Sequence, residues 1–263
     1  VGGVEEIHAA IERGTIQAVA TGKKDVPFNL AVNGTIAPDT YTFAAQGAAN
    51  DIPFKLNHPA VIRKNGADWV LQPVKVVMSQ GSIDLSGRFG ENLKGQARLN
   101  DLDLSLVNMV QKDLGLTGTA SGAIDFSQSG NAFPTARANL KISHFSRASA
   151  AVVSTPVDIA LDAQLNPDKS PASNYVHAII RQGGAVVGRA QVALTPASGG
   201  DWIADLNSAA VSGGVRYNGP AGMPFSLAGL PRQQLAVSVA LSADISGRLN
   251  DPHLKASGHL GRG

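Results

Sequence analysis

The stretch LAVSVALSADISGRLNDPHLKASGHL, residues 235–260, alternates oily and polar side chains over most of its length. Leu235, Val237, Val239, Leu241, Ala243 and Ile245 share one parity, and Ser238, Ser242, Asp244 and Ser246 take the other. After a Gly…Asn-Asp-Pro break, Leu254, Ala256, Gly258 and Leu260 resume the pattern. A period of two belongs to β-strands, whose successive side chains point to opposite faces, and it fits no helix. The same pattern recurs along most of the chain. Ile83, Leu85 and Phe89 alternate with Ser82, Asp84, Ser86 and Arg88, and Leu93, Ala97 and Leu99 with Lys94, Gln96, Arg98 and Asn100. Leu102, Leu104 and Leu106 face away from Asp101, Asp103 and Ser105. Val157, Ile159, Leu161 and Leu165 oppose Asp158, Asp162 and Gln164, and Val192 and Leu194 follow the rule beside Arg189 and Gln191. The chain therefore reads as all-β, built from long strands.

Turn chemistry divides these runs. Asn33-Gly34 and Asn65-Gly66 read as hairpin turns, because Asn and Gly accept positive φ. Gly183-Gly184, Gly199-Gly200 and Gly213-Gly214 read as further turns, and NPDKSPASN (166–174) as a loop. Helical stretches are few. SLVNMVQKDLG (105–115) has Ser105 as an N-cap, Leu106, Met109, Val110 and Leu114 on one side, and Gly115 as a stop. VEEIHAAIERG (4–14) suits helix through Val4, Ile7 and Ile11 and strand through Ile7, Ala9 and Ile11; helix is the favoured reading, which leaves residues 1–25 the least determined. GPAGMPFSLAG (219–229) is held to about a turn by Pro224.

A repeat emerges from the order of these pieces. A short helix or turn at 105–114 leads to a strand ending at Gly130, a turn with Pro134, and a strand to Ile142. Another at 220–229 leads to a strand ending at Gly247, then Pro252, then a strand to Leu260. We expect two continuous units, 1–145 and 146–263, with a seam near 145–155.

These residues resemble a known family. ARLNDLDLSLVNMVQKDLGLTGTASGAIDFSQSGNAFPTARANLKI (97–142) is similar to the AsmA-like superfamily pattern: a leucine-aspartate segment, a glycine-containing strand, a glycine and proline turn, and a second strand. VRYNGPAGMPFSLAGLP and VSVALSADISGRLNDPHLKASGHL, within 215–260, resemble the alphaproteobacterial TamB family, the inner-membrane subunits of the translocation and assembly module. The likeness covers most of residues 65–260. It implies an elongated β-taco, a repeating β-groove with an apolar concave face. It also implies a periplasmic segment of an envelope-spanning protein in a Gram-negative bacterium, anchored in the inner membrane through parts beyond this segment. The implied partners are phospholipid acyl chains, carried between the inner and outer membranes, and an outer-membrane β-barrel of the assembly machinery.

The residues are compatible with that role. At roughly 3.3 Å per residue, a strand over 235–247 extends about 40 Å, against about 15 Å for one hydrocarbon leaflet. Only 5% of the chain is aromatic, so Ala, Val, Leu and Ile make up most of the apolar parity. A tail passing from bilayer to such a groove exchanges one apolar solvent for another, and a conduit needs that small net change. The candidate lining residues are Ile83, Leu85, Leu102, Leu104, Val157, Ile159, Leu161, Val192, Leu194, Leu235, Val237, Val239, Leu241, Ile245 and Leu254. The same parity equally suits the sealed core of an ordinary β protein.

Composition narrows the alternatives. Charged residues make up 16% and the net charge is +2, with no clustered Lys/Arg, which argues against a nucleic-acid surface. There are no cysteines, so disulfides, thiol chemistry and cysteine-ligated metals are excluded. His8, His58, His144, His177, His253 and His259 show no metal-ligand spacing. GLTGTASG (115–122) lacks both phosphate-loop spacings, no GxSxG elbow occurs, and Asp101 with Asp103 reads as a solvated strand edge. We expect no enzyme, no cofactor and no metal. No apolar run reaches the ~20 residues of a membrane span, and Val1 in place of Met reads as a segment of something longer. Two other roles compete with the conduit. One is a protein-binding module that pairs its sheet edges with a client or barrel strand; the other is a structural spacer.

Overall fold

The computed structural model describes residues 6–22, 27–49, 52–106, 115–148, 154–227 and 238–261. They form a single antiparallel sheet of 17 strands. The first nine are β1 (Glu6–Glu12), β2 (Thr15–Gly22), β3 (Phe28–Ala37), β4 (Thr40–Ala49), β5 (Ile52–Leu56), β6 (Ala60–Asn65), β7 (Asp68–Met78), β8 (Ser82–Phe89) and β9 (Asn92–Asp103). The next five are β10 (Leu116–Ser129), β11 (Thr135–Arg147), β12 (Val157–Leu165), β13 (Tyr175–Gln182) and β14 (Ala185–Thr195). β15 (Ala210–Pro220), β16 (Ser238–Arg248) and β17 (Asp251–Gly261) complete the set. Two short helices interrupt it, α1 (Trp202–Asn207) and α2 (Gly222–Leu227), with a 3₁₀ turn at Leu104–Leu106.

Apart from β5 and β6, each strand pairs with its neighbours in the chain, an up-and-down meander from β1 to β17. β5 and β6 share one lane between β4 and β7. Pro59, which has no N–H to donate, lies in the gap between them, and Asn57 bridges it by exchanging hydrogen bonds with the backbone of Lys75. The β11–β12 ladder crosses the 145–155 region and pairs Phe145 with Val157. Among the described residues no pairing joins β17 to β1, so the sheet has two free edges.

The turns follow the residues in some places and not in others. Gly183-Gly184 forms a two-residue loop with φ of 56° and 85°, and Gly66-Ala67 closes the hairpin whose last pair is Asn65 with Asp68. Asn33-Gly34 is not a turn: both lie inside β3, where a Cβ on Gly34 would collide with Phe43, its partner on β4. Gly213-Gly214 likewise lies within β15, so that reading is also corrected. Residues 6–12 form β1 rather than a helix, because pairing with β2 satisfies their backbone. At 104–106 the chain makes a 3₁₀ turn, and Asp103, not Ser105, caps it by accepting from the Ser105 amide at 2.8 Å. Met109, Val110 and Leu114 lie outside the described residues. Pro252 sits in β17 opposite Gly247 instead of in a turn, whereas Pro134 is fully buried in the β10–β11 loop.

Where parity breaks, a bulge restores it. The apolar positions of β7 pass from Trp69 and Leu71 to Val74 and Val76, and those of β11 from Ile142 to Phe145. Gly122 keeps an apolar-face place between Leu99 and Leu140 with φ of 138°, and a Cβ there would strike the Asn139 carbonyl. We expect Gly122→Ala to cost about 1–3 kcal/mol, since both the backbone region and the space are closed to a side chain. Scanning calorimetry should then show the midpoint falling by roughly 2–4 °C for each kcal/mol.

Candidate functional site

Tracing Cα partners across the ladder shows that nearly all the oily side chains of the sheet share one face. One row runs Ile7, Ala20, Leu30 and Gly47 through β1 to β4. Another runs Val76, Ile83, Leu99 and Gly122 through β7 to β10, then Leu140, Leu161, Ala178, Ala190, Val215, Ala243 and Ala256 to β17. The other face carries Asn29, Lys75, Asp84, Arg98, Asp125, Arg137, Asp162, Gln191 and Lys255. Ion pairs cross that polar face, Lys75 with Asp84 at 3.5 Å and Arg98 with Asp125 at 3.1 Å.

The residues expected to line a groove mostly lie on the apolar side. Ile83, Leu85 and Leu102 follow one another across β8–β9, and Val157, Ile159 and Leu161 lie along β12. Val192, Leu194, Val239, Leu241, Ile245 and Leu254 continue the same side over β14–β17. Leu104 is in the 3₁₀ turn, and Leu235 and Val237 lie outside the described residues. Sequence reading missed Tyr217, Val215 and Ala178 on this side. Their signal lies in the register between strands, which one strand read alone does not reveal.

The described residues form no second sheet to cover this face. A compact monomer of this mass exposes about 10,800 Å², whereas the 27.1 kDa chain exposes 15365 Å². Ile7 is 63% exposed, Phe89 40% and Leu254 69%. Among the described residues, Ala60 and Val74 are the only buried apolar ones that precede Ala120.

Burial concentrates under the two helices, which cover opposite ends of β12–β16. At one end Met223 of α2 and the adjoining Ala221 pack on Val157, Tyr217 and Val239. The Tyr217 hydroxyl donates to the Pro220 carbonyl at 2.7 Å, and burial pushes its phenol up to about 12. At the other end Leu206 of α1 and Ala209 pack on Leu194, Val211 and Leu165, and Trp202 lies against the Phe126 ring at 6.2 Å. Between the helices Leu161, Ala178, Ala190 and Val215 are only half-buried. Beside α2 an apolar cavity of about 380 Å³ opens onto the sheet, lined by Val215, Tyr217, Leu241, Ala243 and Pro224.

α1 was not foreseen, although Asp201 is an N-cap that accepts from the Ile203 amide. It is tied down by polar contacts. Asp205, almost fully buried, accepts from Lys169 at 2.8 Å and from the Gly199 amide at 2.6 Å, and Lys169 also lies over the Phe133 ring. Lys169 first, and the Gly199 amide second, hold the Asp205 carboxyl below its ordinary range against the opposing effect of burial. With a depressed folded value, the stabilisation from this group is complete above the unfolded value near about 4 and is lost as pH falls through the folded one. Asp205→Asn should therefore unfold at a lower temperature than the parent at pH 7, with the gap closing as both are titrated below about pH 4. Thermal melts across that range check it, and a gap independent of pH would contradict the assignment.

Among the described residues there is no metal-competent cluster of three or more His, Asp or Glu, and no helix is long and apolar enough to cross a membrane. No family model, no curated protein and no solved structure matches the chain.

Proposed function

We propose that the open apolar face receives phospholipid acyl chains, and that the chain is a periplasmic, non-catalytic segment of a TamB-like envelope protein. In this reading it passes lipid between the inner and outer membranes of a Gram-negative bacterium and supports outer-membrane protein assembly with a β-barrel partner. The observation that carries the proposal is an oily face continuous across the sheet and, among the described residues, covered by helices only at two places, with side chains such as Ile7 and Leu254 more than 60% exposed. Monomeric soluble proteins rarely leave so broad an apolar patch bare. Each methylene of a tail laid on that face leaves water with a gain of about 0.8 kcal/mol, close to what a bilayer gives it, so entry and exit are nearly balanced.

A photoreactive amino acid placed on either parity tests the proposal. Substituted at Ile159 or Leu241 it should form phospholipid adducts detectable by mass spectrometry of gently purified protein. At Asp158 or Ser246, on the opposite parity of the same strands, it should not. Equal labelling of both sets, or none, overturns the reading.

The free edges support a second reading, in which β1 or β17 adds a client or barrel strand by backbone pairing. Crosslinks from β17 positions to a barrel protein in lipid-free preparations favour it.

A further inference from the structure

Most charged side chains that meet on the polar face do so in opposite-sign pairs, Lys75 with Asp84, Arg88 with Asp68, and Arg98 with Asp125, although Arg88 also faces Lys94 across its ladder. β14 and β15 carry another like-charge pair, in which one member lacks, among the described residues, the carboxylate partner that Asp68 gives Arg88. Arg189 and Arg216 are direct partners in their ladder. Directly opposed residues have Cα atoms about 4.5–5.5 Å apart, and like charges at that spacing destabilise a sheet.

The two arginines are not equivalent. Arg216 is held by Asp244, its Nη2 donating to Oδ1 at 3.0 Å, while its Nη1 donates to the carbonyls of Val215 at 3.2 Å and Ala243 at 3.4 Å. Its Nε–H and one Nη2–H remain available. Arg189 has no hydrogen-bond or ion-pair partner among the described residues.

The ground beside them is hollow. Arg189 and Arg216 line a depression of about 370 Å³. Small residues, Ala240, Ser242 and Ser257, leave that space, and His259 borders it. Ser242 and Ser257 share a 2.8 Å hydrogen bond and offer hydroxyls to the same space. A pair of fixed cations with an empty neighbouring volume and neutral donors suits an oxyanion. Guanidinium forks match phosphate and carboxylate oxygens two at a time, and a tetrahedral phosphoryl group has enough oxygens to engage both arginines at once.

We propose that this depression on the polar face of β14–β17 binds a phosphoryl group, held between Arg189 and Arg216, with Asp244 fixing the orientation of Arg216. The site lies on the face opposite the acyl-chain surface, so it stands whether or not that reading holds. The phosphoryl group can belong to a free phosphorylated solute or to a lipid headgroup.

The full chain and its Arg189→Gln variant test this in low-salt buffer, where exposed charges are least screened. Titration calorimetry with inorganic phosphate should show binding to the parent and at least a tenfold weaker affinity in the variant. Without phosphate the variant should melt at a higher temperature than the parent, because the opposed charges are gone; added phosphate should raise the parent's midpoint and leave the variant's unmoved. Flotation with phosphatidylcholine vesicles containing phosphatidylglycerol separates the two sources. Flotation that depends on Arg189 assigns a lipid headgroup, and Arg189-dependent phosphate binding without such flotation assigns a free solute. Equal phosphate affinity in the two proteins, or no binding of either probe to the parent, overturns the proposal.

Discussion

Backbone hydrogen bonding between strands that are neighbours in the chain holds this molecule together, because burial of its oily face is left incomplete. In an ordinary sandwich each sheet hides its apolar side against another, and area removed from water is the dominant stabilising term. Here, among the described residues, α1 and α2 are the helices that pack on the sheet, and elsewhere many of its apolar side chains stay partly exposed. Row after row, Leu30 beside Gly47 or Leu161 beside Ala178, the contacts are across strands and not between layers. A meander suits this economy, since every ladder closes a short loop and no strand waits for a distant partner.

The two helices show what happens where a second layer does exist. Under α1 and α2 the sheet residues become fully buried, as at Leu194 and Val211 on one end and Val157 and Val239 on the other. Between them the same strands return to partial exposure. The polar ties of α1 through Asp205 and Lys169 anchor the cover at its end. Glycines opposite bulky side chains, such as Gly258 beside Leu241 and Gly188 beside Ile180, leave the space into which those side chains lie. On the polar face opposite charges often meet in pairs, while Arg88 opposite Lys94 and Arg189 opposite Arg216 bring like charges together.

Much of the architecture was legible in the residues. The alternation at Ile83–Phe89 and Val157–Leu165 yields strands whose oily positions share the face that the ladder assigns them. The Gly183-Gly184 turn and the loop at 166–174 also emerge where the chemistry put them. Other signals were ambiguous for physical reasons. Asn33-Gly34 has the residues of a tight turn, but glycine is equally useful inside a strand where the facing backbone comes close. Residues 6–12 carry a pattern compatible with two periods, and only the presence of β2 chooses strand. At Leu102 and Leu104 strict alternation fails because the register shifts at that end of the β9–β10 ladder and a 3₁₀ turn follows.

The sequence by itself determined that the chain forms long strands with one oily and one polar side, since side-chain alternation is a local property of extended backbone. Only the tertiary structure decided that all those oily sides share a single face, that bulges restore their parity, and that two short helices cover some of that face while the rest stays bare. Those outcomes depend on which strand lies beside which and in what register, and no stretch read alone contains its neighbour. The meeting of Arg189 and Arg216 has the same origin: 27 positions of chain separate them, and a ladder of hydrogen bonds sets them side by side.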